Sequence, residues 1–83
     1  MDSAMIEQMI RAGLPDAEVS VSGADGVHFE ARVVSSAFAG KSTLQRHRMV
    51  YATLGEFMGR EIHALGLRTE VPGDGDQDGH DPH

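Results

Sequence analysis

The sequence predicts an α+β domain ordered α-β-β-α-α-β, with a three-stranded mixed sheet and helices packed on it. Three observations carry that reading. Residues 18–22 and 27–35 each alternate apolar and polar side chains on either side of a Gly-Ala-Asp-Gly turn, the pattern of a hairpin. Residues 47–58 carry an apolar stripe with helical period. The last alternating run, 62–69, follows a helix rather than a hairpin turn, which favours a mixed sheet over a simple meander.

In the first helix, residues 3–13, Met5, Ile6, Met9 and Ile10 fall at helical spacing. Ser3 is the expected N-cap, and Gly13 with Pro15 supplies the stop. Val19 and Val21 then share one strand face, and Phe29, Ala31 and Val33 point inward against Glu30 and Arg32. Residues 36–41 contain Gly40 and read as a tight turn with one helical turn. Ser42 caps the next helix, whose stripe His47, Val50, Tyr51, Leu54, Phe57 and Met58 ends near Gly59. Leu65 and Leu67 share one face of the last strand, and Pro72 stops it. The domain is expected over residues 1–71. Residues 72–83 form an acidic Gly/Asp/His tail with no aliphatic or aromatic side chain, which cannot repay its ordering entropy and is expected to be disordered.

Composition narrows the function. At 83 residues a two-domain enzyme is excluded, and with no Trp, one Tyr and three Phe the core rests on aliphatic side chains. The absence of cysteine removes disulfides, thiolate nucleophiles and any metal site built on this chain's own sulfur. The net charge of -6 argues against a general polyanion binder, yet five of the thirteen acids lie at residues 70–83. Residues 41–68 alone carry five bases and two acids. No stretch suits a membrane span, and an acid near the start does not suit a signal peptide, so a cytoplasmic protein with no membrane association is expected.

Gly40-Lys41-Ser42-Thr43 suggests a phosphate loop, but that motif needs a glycine where Ser35 stands, so a turn and a helix cap is the better reading. A nucleic-acid-gripping GXXG loop also fails, because Thr43 stands where its second glycine belongs. In Arg46-His47-Arg48 the guanidinium groups splay to either side of His47, since helical neighbours are about 100° apart. His47 falls on the core stripe and reads as structural, an imidazole bonded to a backbone carbonyl. Lys41, Gln45 and Arg48 share another face, which with Arg46 forms a candidate surface for an acidic protein or DNA. His63 enters the last strand on the parity of Leu65 and Leu67, which favours a semi-buried imidazole; a strand end also lets a side chain reach outward toward a metal. His28, just after the turn, is a candidate second ligand. His80 and His83 read as part of a solubilising tail. No triad or acid/base pair supports catalysis.

The string S-S-A-F-A-G-K-S-T-L-Q-R-H-R-M-V-Y-A-T-L at residues 35–54, followed by I-H-A-L-G-L-R-T at 62–69, resembles the BolA family. That family's signature runs as a Ser, a Phe-x-Gly turn, an Arg-His-Arg helix ending in Leu, and a His-Ala strand. The resemblance covers residues 3–72, strongly from Phe29 on. It implies a fold related to the type II KH arrangement and a non-enzymatic adaptor that pairs with a monothiol glutaredoxin. The two would share a 2Fe-2S cluster in iron-sulfur trafficking or iron homeostasis, with thiolates from the glutaredoxin and its glutathione and none held by this chain alone. His63 matches the family's ligand in the His-Ala strand. The family's second ligand, a Cys or His between the first two strands, has no match inside residues 22–27, which leaves His28 at the edge. Some family members are DNA-binding transcriptional regulators, the alternative reading here, with the turn-helix of residues 36–59 supplying Lys41, Arg46 and Arg48. The acidic tail would compete for those cations. The family's Thr-Pro-x-x-Trp segment and last helix are not matched after Glu70-Val71-Pro72. Alone, the chain is expected to be a monomer or weak homodimer.

Overall fold

A computed structural model describes residues 1–23 and 25–73. Its elements run α1 (Ser3–Gly13), β1 (Glu18–Ser22), β2 (His28–Val34), a 3-10 turn (Ser36–Phe38), α2 (Thr43–Leu54), a second 3-10 turn (Gly55–Phe57) and β3 (Ala64–Glu70). The first of the two middle helices expected from the sequence is therefore a single 3-10 turn. The sheet order is β1-β2-β3, with β1 antiparallel and β3 parallel to β2, the mixed sheet predicted. The expected disordered tail lies outside the described residues from residue 74 on; Pro72 and Gly73 form a turn. No helix among the described residues is long and apolar enough to cross a membrane.

One sheet face carries the core. Phe29, Ala31 and Val33 of β2 and Val19 of β1 are buried there against Ile6 and Ile10 of α1 and Val50 and Leu54 of α2. Phe38, inside the first 3-10 turn, is fully buried with them. Each such side chain contributes about 1.5–3 kcal/mol by leaving water. Met5, placed on the α1 stripe by its spacing, is instead 48% exposed.

Two helix boundaries differ from the sequence reading. Asp2 rather than Ser3 caps α1, accepting the Met5 amide at 2.9 Å. Ser42 caps α2 as expected, with Gln45 completing a reciprocal capping box at 2.8 and 3.1 Å. That helix ends at Leu54 and not near Gly59, because Gly55 takes φ +55°, a conformation open to glycine that breaks the helical ladder. The apolar stripe still continues through Phe57 and Met58, half-buried beyond the break.

Asp16 ties the loop before β1 to the start of the first 3-10 turn. Its carboxylate accepts the buried Ser35 hydroxyl at 2.8 Å, the Ser36 amide at 2.8 Å and the Ser36 hydroxyl at 2.7 Å. These bonds, those from Ser36 foremost, hold the Asp16 carboxyl below its ordinary value of 3.8. A depressed folded value gives stability that is complete above 3.8 and is lost as pH falls through the folded value. Asp16→Asn is therefore expected to lower the melting temperature at pH 7 and to flatten its decline below about pH 4. Thermal scans of both proteins across that range check this, and parallel profiles would remove the role.

Candidate metal-ligand site

β3 begins beside the start of β2, and this places two histidines together. The His63 amide donates to the Val27 carbonyl at 3.0 Å, and Ala64 is the register partner of His28. His28 and His63 thus stand at the same end of the parallel pair, His28 opposite Ala64 and His63 one residue before it, although 35 positions separate them in the chain.

His63 does not take the inward parity of Leu65. A tight turn, with the Gly59 amide donating to the Ile62 carbonyl at 2.8 Å and the Ile62 amide to Phe57 at 3.0 Å, delivers Ile62 into the core. The chain bends at residue 63 before the strand begins, so Ile62 is fully buried while His63 and Ala64 are both exposed. The expectation of a semi-buried His63 fails because the alternation does not run across that bend. Exposure leaves the imidazole available to a ligand.

His28 is held by its neighbour. Its Nδ1 lies 2.6 Å from Asp25 Oδ2, and Asp25 Oδ1 accepts the amides of Val27 and His28 at 3.0 and 2.8 Å. These contacts, the His28 ring foremost, hold the Asp25 carboxyl far below the usual carboxylate range. An ionised Asp25 only accepts, so Nδ1 of a neutral His28 carries the proton and Nε2 keeps its lone pair. A carboxylate fixing one imidazole nitrogen so that the other can bind is the usual support of a metal-ligating histidine. An open groove of about 590 Å³ runs past Asp25, His28, Glu30 and Ala64 on the helix-free side of the sheet. Sequence reasoning missed Asp25; its signal was an Asp-Gly turn three residues before a histidine.

His47 sits apart, half-buried on α2, with its ring edge-on to Tyr51 at a centroid distance of 6.4 Å. The carbonyl bond expected of it is made instead by Tyr51, whose hydroxyl donates to Leu65 O at 3.3 Å. His47→Ala is expected to cost about 1 kcal/mol, the scale of an aromatic pair. Urea unfolding measures it, and a loss above 3 kcal/mol, estimated as the cost of a buried hydrogen-bonded group, would mean a tighter tie.

The cations form a separate group. Lys41 and Arg48 are exposed, and Arg46 Nε donates to the Lys41 carbonyl at 3.0 Å, bringing Lys41 and Arg46 together. Gln45, expected on the same face, is committed to the helix cap. This segment leaves β2 at its Val34 end, whereas the imidazoles lie at its His28 end, so seven residues of strand, about 20 Å, separate the two exits.

Comparison with known proteins fixes the lineage. The family described as BolA-like protein matches residues 8–74. The chain belongs to the BolA family. The BolA fold matches a BolA homologue from Coxiella burnetii at a TM-score of 0.82 and 43% identity, covering 92% of this chain and 97% of that one. An uncharacterised protein from the rpoN-murA intergenic region of Acinetobacter guillouiae is 39% identical over 69 residues, 82% of each chain. The DNA-binding transcriptional regulator BolA of Escherichia coli is 48% identical over 42 residues, which spans 51% of this BolA-family chain and only 40% of the regulator.

Proposed function

We propose that this BolA-family chain is a non-enzymatic adaptor that pairs with a monothiol glutaredoxin and holds one side of a shared 2Fe-2S cluster through His63, with His28 as the second imidazole. The observation that carries the reading is the pair of exposed histidines at the paired starts of β2 and β3, one of them fixed by a carboxylate. Among the described residues no group of three or more metal-ligating side chains comes together. With no cysteine in the chain, the thiolates belong to the glutaredoxin and its glutathione. Imidazole in place of thiolate on one iron raises the cluster's reduction potential. It also makes retention fall with pH, because protons compete with iron for the ring nitrogen.

Co-purification with a monothiol glutaredoxin under cluster-assembly conditions tests this. The expected result is a complex whose visible absorption and circular dichroism differ from those of the glutaredoxin alone, and a spectrum identical to the glutaredoxin's own sinks the reading.

The second reading, DNA binding through Lys41, Arg46 and Arg48, has its own support: among the described residues no carboxylate pairs with these cations. Three phosphate contacts predict a log affinity that falls with log salt at a slope of about -2.7. Titration of a duplex at several salt concentrations distinguishes that slope from none.

A further inference from the structure

We infer that the helix-free face of the sheet carries a binding site for a small phosphomonoester, with Arg68 as its anchor. The inference is independent of the glutaredoxin reading and uses neither of its histidines.

The sheet contains a local conflict. Ser20, Arg32 and Arg68 are register partners across β1, β2 and β3, so they share one rung and one face. Arg32 and Arg68 thus stand directly opposite each other on strands about 4.8 Å apart. Like charges in that position weaken strand pairing. Glu70 answers Arg32, accepting its Nε at 3.2 Å and its Nη2 at 2.8 Å. Arg68 is exposed and meets no carboxylate among the described residues. Conflicts of this kind persist where a functional site needs them.

An open cavity of about 360 Å³ lies over that rung, within the size range of small-molecule sites. β1 supplies the hydroxyls of Ser20 and Ser22 to it, β2 and β3 supply Arg32 and Arg68, and Glu30 closes the end nearer His28. Glu30 does not neutralise Arg68. Its carboxylate lies over Gly66, where an added Cβ would come within 2.7 Å of Oε1, and it pairs with no base among the described residues.

These groups define the ligand. Arg68 and the two hydroxyls donate, which suits the several acceptor oxygens of a phosphate. Arg32, oriented by Glu70, adds positive field at the same rung. Glu30 repels a bare polyanion but accepts from a hydroxyl or an amine, so the ligand carries such a donor beside its phosphate. A nucleic-acid backbone, with a further phosphate on either side, is disfavoured by the same carboxylate.

The test titrates the full chain, without cluster or glutaredoxin, with glycerol phosphate at constant ionic strength and follows amide and arginine side-chain NMR signals. Saturable shifts are expected at Ser20, Arg32 and Arg68, with inorganic phosphate binding more weakly and glycerol not at all. Arg68→Gln should weaken binding about 10-fold or more, the scale of a lost charge-assisted hydrogen bond, and Ser20→Ala about 2- to 10-fold. Because Arg68→Gln also removes the opposed charge, its melting temperature without ligand should equal or exceed that of the wild type. A lower one would make Arg68 a structural residue and overturn the proposal. Shifts that sodium chloride reproduces at equal ionic strength, or that Arg68→Gln leaves unchanged, overturn it too. So does binding seen only in Glu30→Gln, which would mean that Glu30 closes Arg68 in solution. Tighter binding of a DNA duplex at the same residues would make the face a nucleic-acid surface and overturn it as well. No variant touches His28 or His63, so failure here leaves the cluster reading standing.

Discussion

His63→Ala is expected to leave the domain folded and the partner bound, yet to shorten cluster retention severely. The side chain is exposed and makes no core contact, so its removal opens no cavity; the backbone bond from its amide to Val27 survives in alanine. On the proposed assignment, what disappears is a ligand. Loss of a mere supporting contact to a ligand costs about 10–100-fold in metal affinity, and loss of the ligand itself should exceed that. Cluster transfer to a chelator, followed by visible absorption, measures the lifetime, while far-ultraviolet circular dichroism confirms the fold. Asp25→Asn should sit between wild type and His63→Ala, because it keeps both imidazoles but releases the orientation of His28. An unchanged lifetime for His63→Ala would transfer the assignment to His28.

The largest loss of stability is expected at Phe38. Its ring is wholly buried in the first 3-10 turn, packed within the cluster that joins α1, α2 and the sheet. Phe38→Ala should cost about 3–5 kcal/mol, because the void cannot collapse around a segment fixed by the Asp16 bonds. An 83-residue domain has roughly 4–12 kcal/mol in total. The variant should thus stand at the edge of unfolding at 25 °C in urea titration, whereas Phe38→Leu, which keeps most of the volume, should lose about 1.5 kcal/mol or less. Equal costs for the two would show that the ring fills no space of its own.

Much of this was legible because the relevant physics is local. Alternation placed Phe29, Ala31 and Val33 on the core face correctly, and Ser42 caps α2 as its position predicted, while the reciprocal bond from Gln45 was not read. Other features depend on the path of the chain through space. The apolar stripe continues past Leu54, so periodicity alone extends the helix, while Gly55 ends it by adopting a left-handed φ. In sequence His63 shares the parity of Leu65, and the bend at residue 63 resets it. Asp16 finds Ser35 and Ser36 some twenty positions away, and no sequence spacing encodes that tie. The two candidate ligands were each visible, but their adjacency was not, since it exists only through the parallel pairing of β2 with β3.

That pairing has a consequence for when the chain becomes competent. Parallel strands joined across a long crossover are among the slowest contacts a small domain makes, because the closure entropy is spent before any bond forms. Until β3 docks, His28 and His63 are two isolated imidazoles on an incomplete sheet. On the proposed assignment, a nascent or partly opened chain would offer metal only single, weak donors, and the paired donor set would be a certificate of finished folding. Protection of the His63 amide from hydrogen exchange, which reports that this rung is closed, should rise and fall with the proposed capacity to hold iron.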